Sequence, residues 1–63
     1  MKYQVKFRRP DGTEAWLGES GRGSADKKES PRMALPEAQQ AAEDRNRVYG
    51  PWFNYWVEQA EED

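Results

Sequence analysis

The amino-acid sequence predicts an α+β fold, a three-stranded antiparallel sheet connected β-β-α-β in strand order 2-1-3 with one helix packed on one face. Three features lead there. Residues 2–8 alternate between apolar and polar, Arg9-Pro10-Asp11-Gly12-Thr13 has the composition of a hairpin turn, and one helical stripe from Leu35 to Tyr49 precedes a second alternating run.

In the first strand Tyr3, Val5 and Phe7 share one face, and Lys2, Gln4, Lys6 and Arg8 share the other. Pro10 presets the first turn position, Asp11 suits the second, and Gly12 can take the left-handed conformation that closes a type I turn with a bulge. That turn pairs Arg9 with Thr13. It sets Phe7 opposite Ala15 and Val5 opposite Leu17, with Arg8 facing Glu14 and Lys6 facing Trp16. Turn chemistry and hydrophobic pattern, read separately, give the same register.

Residues 18–34 show no periodicity and consist mainly of Gly, Ser, Pro and charges of both signs, which reads as a flexible loop. A loop of this length is either a disordered tether or a segment that orders on a partner. In the second case Arg22, Lys27, Lys28 and Arg32 are its contacts, and they join Lys2 and Arg9 as candidate phosphate ligands.

Pro36 fits the first turn of a helix, and Glu37 suits the positive end of its dipole. Leu35, Ala38, Ala41, Ala42, Arg45, Val48 and Tyr49 form the stripe, with alanines small enough to let the helix lie close to a sheet. Gly50-Pro51 ends it, the glycine being expected in the left-handed conformation. A strand over residues 52–57 and an acidic tail over 58–63 complete the chain, all within one domain spanning residues 1–63.

Five of the eight aromatic residues lie between Tyr49 and Trp56. Alternation divides the last strand into Trp52, Asn54 and Trp56 on one side and Phe53, Tyr55 and Val57 on the other. The second set holds no amide to bury, so it is expected to face the helix. Trp52 and Trp56 then join Trp16, Lys6 and Arg8 on the opposite face. Three indoles of about 150–250 Å² each would match or exceed the largest apolar patch of a typical monomer, about 300–600 Å². That face is either a partner-binding surface, formed by Trp16, Trp52, Trp56, Lys6, Arg8 and Asn54, or a self-contained platform on which the cationic stems cover the rings.

Composition narrows the function classes. A chain of 63 residues buries only about 60% of its unfolded surface, and with no Cys and no His it has neither disulfides nor the usual zinc, haem or iron-sulfur ligands. Self-association or partner binding is therefore expected, with a homodimer in view, and no cofactor and no metal site. No apolar run approaches the roughly 20 residues that span a bilayer, so no membrane role is expected and the chain reads as a cytoplasmic protein. Carboxylate neighbours such as Glu43 and Asp44 point apart on a helix, and no nucleophile stands beside a base, so catalysis is not expected.

Two readings remain open. One is a non-catalytic protein-binding module acting through the aromatic sheet face. The other is a nucleic-acid or nucleotide binder that stacks bases on the tryptophans and holds phosphates with the basic face of the first strand. Residues 1–34 carry net +3 and residues 35–63 net −5, giving the overall −2 and a pI near 5.1 that count against a purely electrostatic binder. With its short Pro10-Asp11-Gly12 hairpin, its helix beginning Pro36-Glu37-Ala38 and its closing aromatic strand, the chain resembles small accessory proteins of phages and prophages, among them anti-CRISPR and other anti-defence inhibitors. The resemblance is architectural and implies a stoichiometric inhibitor of a host defence component, working in the host cytoplasm.

Overall fold

The hairpin forms in the register its turn dictates. In a computed structural model, which describes residues 1–19 and 21–60, β1 (Tyr3–Arg8) pairs antiparallel with β2 (Glu14–Leu17). Lys6 lies opposite Trp16, Phe7 opposite Ala15 and Arg8 opposite Glu14. The Arg9 N–H donates to the Thr13 carbonyl at 2.8 Å, and Gly12 occupies the left-handed region at φ 90°. The Asp11 carboxylate braces the turn by accepting from the Thr13 N–H at 2.9 Å and from the Thr13 hydroxyl at 2.6 Å.

Helix α1 (Leu35–Tyr49) begins with Pro36 in its first turn and buries Ala38 and Ala42. Its end differs from expectation, because Gly50 is right-handed, at φ −51° and ψ −33°. The chain instead adds a tight turn in which the Trp52 and Phe53 N–H groups both donate to the Tyr49 carbonyl, at 2.9 and 2.8 Å. That turn satisfies a terminal carbonyl without a left-handed residue. It also takes Trp52 out of the last strand, β4, which runs Asn54–Gln59 rather than 52–57. Of the expected acidic tail, Glu58 and Gln59 are strand residues, and the Ala60 N–H donates to the Lys2 carbonyl at 2.8 Å. Positions 61–63 lie outside the described residues.

β4 lies antiparallel beside β1, with Val5 opposite Val57, Lys6 opposite Trp56 and Phe7 opposite Tyr55. Phe53, Tyr55 and Val57 belong to the side that meets the helix, as the alternation implied, and Tyr55 is buried. The core is Val5, Phe7, Ala15, Leu17, Ala38, Ala42 and Tyr55, with Tyr3, Met33, Ala41, Phe53 and Val57 packed around it.

The sheet has four strands in the order β3-β2-β1-β4, not three in the order 2-1-3. The added β3 is Gly23–Ser24, which pairs with β2 through Leu17–Gly23 and Trp16–Ser24. It comes from the stretch expected as a flexible loop. The remainder of that stretch also carries backbone structure, a 3-10 turn at Lys27–Glu29 and a bridge in which Met33 and Tyr3 exchange hydrogen bonds of 2.8 and 2.9 Å. Gln59 occupies the β4 side of Tyr3, so Met33 takes the side that β2 leaves when it ends at Leu17. Two-residue pairings of Gly and Ser have no hydrophobic period to betray them in sequence. Among the described residues, no helix is long and apolar enough to cross a membrane.

Candidate binding surfaces

The pleat of β1 and its two neighbours places one row of side chains across the sheet face away from the helix, Trp16–Lys6–Trp56, and beside it the row Glu14–Arg8–Asn54. Five of these six, Trp16, Lys6, Trp56, Arg8 and Asn54, were expected on this face from the sequence. Their charges, however, are already engaged. Lys6 Nζ lies 3.3 Å from Glu14 and 3.7 Å from Glu58, and Arg8 binds Glu14 at 2.6 and 3.1 Å. The two indoles are half-buried beneath cations, with Lys6 and Lys27 at 4.9 and 5.5 Å from the Trp16 ring and Arg8 at 5.9 Å from Trp56. Arg8, followed by Lys6, holds the Glu14 carboxyl below its ordinary range, and hydrogen bonds from Thr13 do the same for Asp11. Cationic side chains thus lie over both half-buried rings.

A strap over the same face removes more of it from solvent. Gln4 lies on the polar face of β1, yet its side chain is 1% exposed. Its amide donates to the carbonyls of Lys27 and Ser30, both at 2.9 Å, while the Ser30 hydroxyl donates to the Leu17 carbonyl at 2.6 Å. Lys27, one of the candidate loop contacts, is therefore part of this cover. Alternation alone placed Gln4 in water, because the strap that buries it has no signature in β1 itself.

The other candidates scatter. Trp52 stands in the turn after α1, 62% exposed and apart from the Trp16–Trp56 row. Arg9 turns to the helix side and stacks over Phe7 at 5.3 Å. Arg22 and Lys28 border a shallow cavity of about 630 Å³ together with Glu19 and Glu29, so its charges balance. Lys2 and Arg32 are exposed at separate points of the surface. The proposed phosphate ligands thus form no single track, although Lys27 and Lys28 are adjacent in the strap.

The surface the sequence did not single out is the corner where α1 ends. Val48 and Tyr49, read as core-facing members of the helical stripe, are 60% and 38% exposed, and the Tyr49 carbonyl accepts from the Trp52 N–H. Tyr49 still meets Phe53 edge-on at 6.3 Å, whereas Val48 is more than half exposed. Close by, Asn46 clamps the outer edge of β4. Its side chain accepts from the Tyr55 N–H and donates to the Tyr55 carbonyl, both at 2.9 Å. An amide thereby stands where a further strand would pair.

Among the described residues, no group of three or more His, Cys, Asp or Glu could hold a metal ion. No protein-family model, curated protein or solved structure matches the chain.

Proposed function

We propose that this chain is a non-catalytic protein-binding module whose anchor is Trp52. The observation that carries the reading is the exposure of three large side chains within five positions, Val48, Tyr49 and Trp52, at the tight turn that bonds the Trp52 N–H to the Tyr49 carbonyl. Tryptophan is the residue type most enriched at binding hot spots, and contiguous exposed apolar groups on a small soluble domain mark interaction sites. The sheet face is less suited to a phosphate backbone, since Lys6 and Arg8 at its centre are already paired with Glu14 and Glu58.

A second copy of the chain is the first partner to consider. A domain of this size has a marginal core, and a two-fold contact would cover the same corner on both copies. A stoichiometric inhibitor of a host component, the role implied by the resemblance to phage accessory proteins, is a module of the same kind. Sedimentation over a concentration series tests the reading. A dimer that persists in high salt and dissociates in Trp52→Ala, with far-UV circular dichroism unchanged, is the expected result. A strict monomer would overturn the homodimer, and tight binding of a dT oligonucleotide that falls steeply with salt would overturn the protein-binding reading itself.

A further inference from the structure

We infer that a second site lies on the helix side of the sheet, a cavity between Arg9 and Arg45 that takes a phosphate monoester carried on a flat ring. The cavity holds about 260 Å³ and is walled by Phe7, Tyr49, Phe53 and Tyr55, with both arginines at its edge. The aromatic wall is continuous. Phe7 meets Phe53 edge-on at 5.9 Å and Tyr55 at 5.1 Å, and Tyr49 meets Phe53 edge-on at 6.3 Å.

Among the described residues no carboxylate lines the cavity and neither guanidinium has an ion pair, in contrast to Arg8 and Arg47. Arg9 is positioned by its contact with Phe7 and by donating to the Thr13 hydroxyl at 3.2 Å, which leaves most of its N–H donors unused. Both arginines are partly buried, where an anion is held more strongly than at an exposed site. Asp11 is near enough for Arg9 to help lower its carboxyl, but it is not among the residues lining the cavity, and each fork can donate a bidentate pair of hydrogen bonds to phosphate oxygens.

Glycines keep the rim open. A Cβ on Gly23 would stand 2.7 Å from the Phe7 ring and 2.8 Å from Arg9 Nη2, and one on Gly21 would stand 3.0 Å from Arg45 Nη2. Any other residue at Gly23 would displace the arginine and the ring together. The volume lies just below the roughly 300–1,000 Å³ of drug-sized ligand sites, so a single ring with one phosphate is the appropriate size. In this arrangement the phosphate sits between the guanidiniums and the ring packs against Tyr49 and Phe53.

Titration calorimetry with phenyl phosphate, inorganic phosphate and phenol tests the site, with the ring proton resonances of Tyr49 and Phe53 as a local readout. The expected result is one-to-one binding of phenyl phosphate, with both fragments weaker and the Tyr49 and Phe53 resonances shifted. Arg45→Gln should weaken phenyl phosphate by about tenfold or more, the loss expected for a charge-assisted hydrogen bond, and Arg45→Lys should restore part of it. Uridine monophosphate and phosphotyrosine, as further probes, distinguish a nucleotide from a modified side chain as the source of the group. Phenyl phosphate binding no tighter than inorganic phosphate, unshifted Tyr49 and Phe53 resonances, or full affinity in both Arg45→Gln and Arg9→Gln would overturn the inference. The two proposals share Tyr49, so they are separated by Trp52→Ala, which should abolish the protein contact and leave phenyl phosphate binding unchanged, and by Arg45→Gln, which should weaken phenyl phosphate and leave the protein contact unchanged.

Discussion

Replacing Gln4 by alanine tests whether one buried amide holds the strap onto the sheet. The side chain is 1% exposed and donates two hydrogen bonds of 2.9 Å, to the Lys27 and Ser30 carbonyls. Each such bond contributes about 1 kcal/mol net, and removing the amide leaves both carbonyls without their donor. The lost methylene adds about 0.8 kcal/mol. One factor works in the other direction, since the buried Gln4 Oε1 accepts no hydrogen bond among the described residues and its removal relieves that desolvation. The net loss expected is about 2–3 kcal/mol. A domain of 63 residues has a total stability of roughly 3–9 kcal/mol, so the variant should lose about a fifth of it or more.

Urea unfolding followed by tryptophan emission measures this directly, with a lower midpoint and an unchanged slope as the expected signature. Amide exchange at Ser30 and Met33 should accelerate more than exchange in α1, because the strap loses its anchor while the helix keeps its own. Trp16 emission should shift as well, since Lys27 stacks on that ring. A loss below about 0.5 kcal/mol, the scatter of ordinary surface substitutions, with unaltered exchange at Ser30 and Met33 would refute the reasoning.

Two further outcomes follow from the same contacts. Asn46→Ala removes both hydrogen bonds to the Tyr55 backbone and uncovers the edge of β4; it should cost about 1–3 kcal/mol in urea unfolding and increase self-association in light scattering, whereas Asn46→Asp, which retains only the acceptor, should fall between. For pH, Glu14 and Asp11 both have carboxyls held below their ordinary values of 4.5 and 3.8, Glu14 chiefly by Arg8 and Asp11 chiefly by Thr13. A depressed folded-state value means that the stability they contribute is present above the ordinary value and is lost as pH falls through the lowered one. The urea midpoint should therefore decline between about pH 5 and pH 3, and the decline should be shallower in Glu14→Gln. An identical decline in both proteins would remove Glu14 from the explanation.

The sequence by itself determined the elements whose signals are local. Pro10, Asp11 and Gly12 set a turn whose geometry fixes the register of Phe7 on Ala15, and period-2 alternation assigned Tyr55 and Val57 to the helix side. The helix span followed from Pro36 and the alanine stripe. Each depends on residues within a few positions of one another, where backbone propensity and hydrophobic period act directly. Part of the sheet face was legible for the same reason, since Trp16, Lys6 and Trp56 align once two registers are known.

Only the tertiary structure decided what covers what. Gln4 is polar and alternates with core residues, yet it is buried by carbonyls 23 and 26 residues further along the chain. Gly23 and Ser24 become a strand because β2 offers them free backbone groups, and Trp52 leaves the sheet because two N–H groups find the Tyr49 carbonyl. Arg9 and Arg45, one from a turn and one from a helical stripe, meet across a single cavity. Backbone hydrogen bonding is common to every residue and carries no side-chain signature, so long-range contacts made through it are settled only when the chain closes on itself.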